Sequence, residues 1–389
     1  MVINFEFLGS EPIENVITCL HFKVDKVVFF GYYDVIEQQK EKVERFLKTH
    51  CNVQKVVFHP VSEDDMISIL RTMRKEVSFE QGQGNELYFD ITGGESMVLV
   101  AFGMLSREFK ASMHLYDVKK DKLIEMDEFP VRQISESVET QEIHLTLDML
   151  VEMYGGKINH FMKKDIKSGE NAEFEADVAK IWEVAKANID NWNYFSDFLR
   201  SKMVPDEELQ VSRKKESLEK ALAAAPGKMK TLKDLNAFVE PLAAKGILKD
   251  FKNTKDKYSF RFKNEAIKDC LWEGGSVLEL HTYQQEKKIS DDCRVGVHLD
   301  WDGKIHYEPG VDVLNEIDVL TLKGNVPTFM SCKSGRMDSK QVLHALYELD
   351  TIAKRFGGDY AKKVLVTTRS FSEVYMERAA EMEVEVRIM

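Results

Sequence analysis

No Cys-x-x-Cys pair occurs in this sequence, and its five cysteines (Cys19, Cys51, Cys270, Cys293 and Cys332) are scattered and odd in number. That argues against a disulfide framework or a thiolate zinc site, and it suits a reducing, cytoplasmic setting. The ten histidines show no ligand spacing. No apolar run is long enough to span a bilayer; the longest, residues 97–105, falls far short. The opening Met1-Val2-Ile3-Asn4-Phe5 lacks the basic region and cleavage site of a signal peptide, so no targeting segment and no membrane partner are expected. Basic excess is missing too. The formal net charge is −12, divided as −9 over residues 1–145, +2 over 146–272 and −5 over 273–389. A chain this acidic should not coat duplex DNA, so any nucleic-acid contact must be local or helped by a bound metal ion. The dinucleotide fingerprint Gly-x-Gly-x-x-Gly is absent as well, which argues against a nicotinamide cofactor.

What is present points to a large α/β protein. At 389 residues, 43% hydrophobic and 31% charged, the chain is long enough for two or three domains. Over residues 1–144, strand patterns at 2–8, 26–33, 53–59, 86–91 and 111–117 alternate with helical patterns at 34–49, beyond 60 (apolar face Met66, Ile67, Leu70, Met73) and 94–109. Such alternation implies a parallel sheet with right-handed crossovers. The runs Val27-Val28-Phe29-Phe30 and Lys55-Val56-Val57-Phe58 look like strands buried on both faces. Ligands of such sheets sit beyond the carboxyl ends of the strands. The loops expected there include Gly9-Ser10-Glu11, Gly31-Tyr32-Tyr33-Asp34, His59-Pro60 and Asp90-Ile91-Thr92-Gly93-Gly94-Glu95-Ser96-Met97. In the last, two glycines allow close backbone approach and a following helix N-terminus suits a phosphate. An ordinary strand-to-helix turn would have the same composition.

Asp90-Ile91-Thr92-Gly93-Gly94, closing the fourth strand of a small α/β domain, resembles the ligand loop of CARF domains, the CRISPR-associated Rossmann fold. The resemblance implies a homodimer that binds a cyclic oligoadenylate across its two-fold axis. The implied ligand residues are Gly9, Ser10, Glu11, Tyr32, Tyr33, Thr92, Gly93, Gly94, Glu95, Ser96 and Met97. Many relatives carry a basic residue soon after the two glycines. Glu95-Ser96 stands here instead, which shifts phosphate recognition onto backbone N–H groups, Ser10, Ser96 and Thr92.

Residues 131–144 read as a polar linker, and 145–271 as a mainly helical middle with helices at 145–154, 174–187, 194–202 and 232–245. Its end, where a helix is followed by apolar runs on either side of Asn253-Thr254-Lys255-Asp256, resembles a winged helix. Its lysines and arginine (Lys249, Lys252, Lys255, Lys257, Arg261, Lys263) would suit a phosphate backbone, but the reading favoured from the residues is a solvated hairpin that packs the two ends together. The near-neutral charge of the segment does not mark a dedicated DNA-binding module.

Residues 272–389 follow the order helix, hairpins, strand, helix, strand, helix, with a hairpin turn at Asp302-Gly303 feeding a strand at 304–308. Within them, 315–333 holds two apolar, β-prone runs around Gly324-Asn325. A two-residue turn there would pair Asp318 with Ser331 and Glu316 with Lys333, all on one face. Two carboxylates, a hydroxyl and an ammonium on one patch describe either a metal-and-lysine centre for phosphodiester hydrolysis or a surface ion-pair ladder. The element order resembles the PD-(D/E)XK nuclease fold over about 272–370. By that resemblance Glu279 is the acid of the first core helix, Asp318 the metal-binding aspartate, Ser331-Cys332-Lys333 the (D/E)-x-Lys tripeptide, and Gln341 a polar site residue of the next helix. Serine replaces the usual acid at 331, and Glu316 is the obvious substitute.

A CARF domain joined to a PD-(D/E)XK domain through a helical middle is the layout of a family of CRISPR ancillary nucleases. The resemblance implies a homodimer switched on by cyclic tetra-adenylate that uses Mn²⁺ or Mg²⁺ to cut single-stranded DNA or RNA and supercoiled DNA. Metal would be held by Asp318, with Glu316 or Glu279, and the Cys332 carbonyl, with Lys333 stabilising transition-state charge. Two other readings stand beside it: a ligand-responsive nucleic-acid-binding regulator with a degenerate nuclease domain, and a ligand-independent restriction-like endonuclease.

Overall fold

The structure, a computed structural model, describes residues 1–126, 132–160, 172–304 and 314–389. The chain opens with β1 (Val2–Phe7), α1 (Ile17–His21), β2 (Lys26–Gly31), α2 (Tyr33–His50), β3 (Lys55–Pro60), α3 (Met66–Gly82), β4 (Glu86–Asp90), α4 (Ser96–Phe109), β5 (Ser112–Asp117) and β6 (Lys122–Glu125). The sheet order is β3-β2-β1-β4-β5-β6, parallel throughout except for β6. Alternation explains why β2 is apolar along its length. Val28 and Phe30 join Ile3 and Phe5 under α3 and α4 (Met73, Phe102). Val27 and Phe29 face the opposite layer, with Ile17, Leu20, Phe46 and Leu47. One detail of the expected α3 face is corrected: Ile67 is 70% exposed, and the buried apolar residues are Ile69, Met73 and Val77. Asp65 caps that helix through Ile67 N and Ser68 N, and this sets the phase that turns Ile67 outward.

Residues of the polar linker pack back on this domain. After α5 (Ile134–Ser137), the Gln141 amide reaches the carbonyls of Cys19 and Phe22. Then come α6 (Leu147–Met153) and the short β7 (Lys157–Ile158). The middle contains α7 (Ala172–Ala187), α8 (Ile189–Lys202), β8 (Gln210–Lys214), α9 (Lys215–Ala224), α10 (Leu232–Ala244), β9 (Leu248–Asn253), β10 (Lys257–Phe262) and α11 (Glu265–Trp272). Its antiparallel sheet runs β8-β10-β9. A Thr231–Asp234 capping box starts α10.

The last part holds α12 (Ser276–Glu286), β11 (Asp292–Asp300), β12 (Leu314–Lys323), β13 (Val326–Lys333), α13 (Ser339–Gly357), β14 (Lys362–Thr367), α14 (Glu373–Glu381) and β15 (Val384–Ile388). The strand expected at 304–308 lies, from 305 on, outside the described residues. The sheet order is β15-β14-β13-β12-β11-β7, so one edge strand comes from residues well before 272. One face of this sheet (Leu320, Phe329, Leu365) is covered by the apolar stripe of α13, in a core continuous with the inner layer of the first domain through Leu147 and Leu150. The other face (Val319, Met330, Cys332, Val364) packs on α12 and the middle helices. Among the described residues no helix is long and apolar enough to cross a membrane.

Candidate active site

The β12–β13 ladder closes on Gly324-Asn325: Lys323 pairs with Val326, and the register runs to Val319–Met330. Gly324 sits at φ +56°, a left-handed position where glycine bears no Cβ penalty. One step further, the same register brings Asp318 to Ser331, whose hydroxyl donates to Asp318 Oδ2 at 3.3 Å. The same oxygen accepts from Cys332 N at 2.6 Å. A side-chain carboxylate thus takes a backbone N–H at the end of the ladder. Lys333 Nζ lies 3.8 Å from Asp318 Oδ2, with the lysine side chain 37% exposed and the aspartate 14%. The Glu316–Lys333 pair expected from a two-residue turn lies beyond the ladder's last pair. Glu316 is half-buried, with His298 of β11 as its cross-strand neighbour.

Lys333 and Cys332 open into a cleft of about 800 Å³ whose walls include Gly275, Asn193, Arg336, Lys340, Gln341 and His344. Gln341 is therefore in the same cleft as Lys333. Its Oε1 accepts from Asp338 N in the capping box that starts α13, which leaves its amide nitrogen as the donor it can offer. Glu279 sits behind the Gly275 wall: a Cβ placed on Gly275 would be 3.5 Å from Glu279 Oε1. Burial, followed by the nearby Asp318 and Glu279 carboxylates, pushes the Cys332 thiol well above its ordinary range. So a reactive thiolate is not what this cysteine supplies.

Asn193 was not foreseen. From α8 it donates to Ser334 O at 3.0 Å and accepts from Ser334 Oγ at 3.1 Å, pinning the loop that follows Lys333. Trp192 Nε1 holds Gly274 O at 3.0 Å on the opposite wall. No local pattern marks Asn193, which meets Ser334 across 141 positions. Lys340 and His344, by contrast, lie near Gln341 on one helix face, and helical spacing could have found them.

In the first domain, the expected loops gather at the carboxyl ends of β1, β2 and β4. Ser10, Gly94, Glu95 and Ser96 are exposed; Gly9, Tyr32, Thr92, Gly93 and Met97 are half-buried, and Tyr33 is 70% exposed. Gly94 has φ +140°, so the turn requires a glycine there, while a Cβ on Gly93 would fall 2.6 Å from Glu14 Oε2 and displace that side chain. Glu95 is the N-cap of α4 but makes no side-chain cap. It lies close enough to Tyr32 that, after burial, it helps push that hydroxyl above its ordinary range. Asp90 organises the loop from beneath. Burial pushes its carboxyl up, but His114, Thr18 and Thr92 outweigh that and hold it below the usual range. Thr92 N donates to Asp90 Oδ1 at 2.8 Å.

Two bridges tie these loops to the second sheet and α13, at the ends of the hairpin and the helix that lie away from the cleft. Thr92 Oγ1 accepts from Tyr116 N (2.8 Å), Tyr116 OH donates to Asp121 Oδ1 (2.6 Å), and that oxygen accepts from Asn325 Nδ2 (2.7 Å) in the turn of the β12–β13 hairpin. Glu11, expected to face a ligand, is turned the other way and accepts from Tyr154 OH at 3.0 Å. Glu14 accepts at 2.6 Å from Tyr360 OH, just beyond the C-terminal end of α13. Burial raises both acids above the carboxylate range, with the tyrosine bonds opposing it.

Among the described residues no three His, Cys, Asp or Glu side chains converge as a metal-holding cluster. The donors at hand are oxygens: the Asp318 carboxylate, the Ser331 hydroxyl and, behind Cys332, Glu279. Such a sparse oxygen set fits Mg²⁺ or Mn²⁺, which keep waters and share ligands with substrate phosphates, and it does not fit zinc.

Residues 267–388 match the family described as "Card1-like, endonuclease domain". No curated protein matches the sequence significantly. Among solved structures, protein VC1899 from Vibrio cholerae is similar over 99% of this chain and 93% of its own, with a TM-score of 0.70 and 16% identity. Can2 from Sulfobacillus thermosulfidooxidans, solved with cyclic tetra-adenylate, is similar over 99% and 92%, at TM-score 0.63 and 14% identity. A type III CRISPR defence DNA nuclease activated by cyclic oligoadenylate is similar over 94% of this chain but only 45% of its own, at TM-score 0.51 and 13% identity. The chain therefore has, nearly end to end, the fold of these proteins.

Proposed function

We propose that this chain, which carries a Card1-like endonuclease domain at residues 267–388, is a cyclic oligoadenylate-activated, metal-dependent nuclease of type III CRISPR defence. The observation that carries the reading is the Asp318–Ser331–Cys332–Lys333 centre at the mouth of the 800 Å³ cleft, inside the matched domain. The similarity to Can2 with its cyclic tetra-adenylate supports the activator class.

Residues 1–144 would be the CARF sensor, 145–271 the connecting middle and 272–389 the nuclease domain. The order strand, helix, helix, strand, strand from β8 to β10 supports a winged-helix-like middle. A homodimer is supported by the apolar side chains left exposed on α3 and α4: Ile67, Phe79, Val100 and Met104. The activator would be bound by the exposed loop ends around Ser10, Tyr32, Thr92 and Ser96.

In the nuclease centre Asp318, with Glu279 or Glu316 and the Cys332 carbonyl, would hold Mg²⁺ or Mn²⁺. Such an ion, when bound, activates water and polarises a phosphate. Ser331 orients Asp318 by its hydrogen bond. Lys333, half-exposed and beside Asp318, places its ammonium where charge grows on the scissile phosphate. Gln341 offers its amide nitrogen to a non-bridging oxygen. The two bridges from Thr92 and Glu14 would bias the cleft through the length of the β12–β13 hairpin and of α13 when the loops take up ligand, and a complete switch needs roughly 10⁴-fold preference for the active state.

The test is cleavage of a fluorescent single strand with Mn²⁺, with and without cyclic tetra-adenylate. Cutting that requires both supports the proposal. Ligand binding with no cutting under any metal would favour the regulator with a degenerate nuclease domain, a reading that Ser331 in the acid position keeps open. Ligand-independent cutting of duplex DNA would overturn the sensor assignment.

A further inference from the structure

A second cavity, of about 720 Å³, adjoins the cleft across the loop at 335–338, and Arg336 and Met337 line both. That volume is in the range of small-molecule sites, roughly 300–1,000 Å³. The lining chemistry is distinctive. Phe371 and Tyr375 present half-buried rings whose backs pack on the core. Arg336 is exposed and makes no ion pair among the described residues. Arg369 is partly neutralised by Asp190 of α8, but its buried Nε has no hydrogen-bond partner. The only carboxylate in the lining, Asp338, is already accepting from Lys340 N and Gln341 N at 2.9 Å.

The dividing loop is held rather than loose. Gly335, at φ +95°, donates its N–H to Thr368 Oγ1 at 3.1 Å, and Asn193 secures Ser334 from the other side. The cation shared by both cavities therefore has a fixed seat next to Lys333. On a chain of net charge −12, an aromatic floor with an uncompensated arginine at its rim selects for a flat ring attached to an anion.

Resting on the nuclease reading above, we propose that this cavity is a nucleobase subsite for the single strand cut in the first cleft. One base adjoining the scissile phosphate lies against Phe371 and Tyr375, and a neighbouring phosphate lies on Arg336. A base must leave its duplex stack to reach such a floor, so the subsite makes the enzyme prefer single strands.

The experiment uses the full-length Lys333→Ala protein as a trap, with cyclic tetra-adenylate and Mn²⁺. Oligonucleotides carry 2-aminopurine at one position at a time, and its fluorescence falls when it stacks. The expected result is quenching at one position or two adjacent ones, lost in the Phe371→Leu/Tyr375→Leu background, with binding about tenfold weaker. Arg336→Ala, a surface change that leaves the fold alone, should weaken binding by a similar factor and, with Lys333 present, raise KM more than it lowers kcat. Cutting by the wild type with no position-specific quenching would overturn the subsite and leave the nuclease reading intact, as would binding indifferent to all three substitutions. A wild type that neither binds nor cuts any strand would overturn both.

Discussion

The two six-stranded sheets of this protein each bury a group of polar residues, but they treat it in opposite ways. In the first sheet Asn4, Glu6, Asp90 and His114, with Thr18 of α1 packed on them, are all at most 3% exposed, sealed between helices. In the second, Asp318 and Lys333 stand at a strand end that opens to a cleft, the lysine 37% exposed. Sealed polar groups cannot meet a substrate; their work is to shape the loop above them, as Asp90 does for Thr92. Polar groups at an open strand end can do chemistry. Changes in the second sheet should therefore cost activity and spare stability, and changes in the first should do the reverse.

The largest expected effect is the sharpest form of that contrast. Lys333→Ala should lower activated cleavage by about 10²–10³-fold or more, the usual size for a group stabilising transition-state charge. Ligand affinity and melting temperature should hardly move, because the side chain is partly solvated and its one described ion pair is long. Initial rates on a single strand and a thermal melt check both halves, and retained cleavage would remove Lys333 from the chemistry. Ser331→Asp comes next. Ser331 is 8% exposed and within hydrogen-bond distance of Asp318, so an acid there adds a second carboxylate at the tripeptide position. Mn²⁺ affinity in a titration should rise by about tenfold, as one added charged ligand would give. Unchanged affinity would mean that Glu279 or Glu316 already fills that role.

A smaller effect is expected where the sheets communicate. Tyr360→Phe removes only the hydroxyl that Glu14 accepts. It should weaken the ligand's stimulation of cleavage by about three- to tenfold, in line with the net worth of one ordinary hydrogen bond, while binding of cyclic tetra-adenylate persists. Stimulation equal to wild type would show that coupling runs through Thr92, Tyr116, Asp121 and Asn325 alone.

How much of this could be read beforehand follows from distance along the chain. The β12–β13 register was legible because Gly324-Asn325 and its flanking apolar residues specify it within twenty positions. The parallel order of the first sheet was legible from runs such as 27–30, apolar because both faces are covered. The two-residue β7 was not, being too short to carry a period. Nor could any local pattern show that Glu11 turns to Tyr154, 143 positions away, or Glu14 to Tyr360, 346 away. Glu11 was expected at a ligand because its loop was placed correctly; which way a loop side chain points is decided by partners that only the folded chain brings near.

The smallest effect lies in the sealed sheet and is visible only through pH. Burial, followed by repulsion from Asp90, raises the Glu6 carboxyl well above its ordinary value, and the Asn4 contact only partly opposes this. Its folded pKa exceeds its unfolded one, so in the window between them the native state holds a proton that the unfolded chain has released. Stability then falls as pH rises through that window. Asp90 works in the other direction, held low by His114, Thr18 and Thr92, so its contribution is lost only as pH drops below the ordinary carboxylate range. Glu11 and Glu14 are raised by burial as well, so between pH 5 and 8 it is the comparison of wild type with a Glu6 variant that isolates Glu6. Glu6→Gln keeps the shape and a partner for Asn4 while removing the ionisation, and it should raise the melting temperature by about 2–4 °C at pH 8 with a smaller gain at pH 5. Cleavage at a fixed temperature below both transitions should not change. An equal gain at both pH values would mean that the folded Glu6 carboxyl is not raised and that packing, not ionisation, limits this core; a loss of cleavage would mean that the sealed sheet reaches the cleft after all.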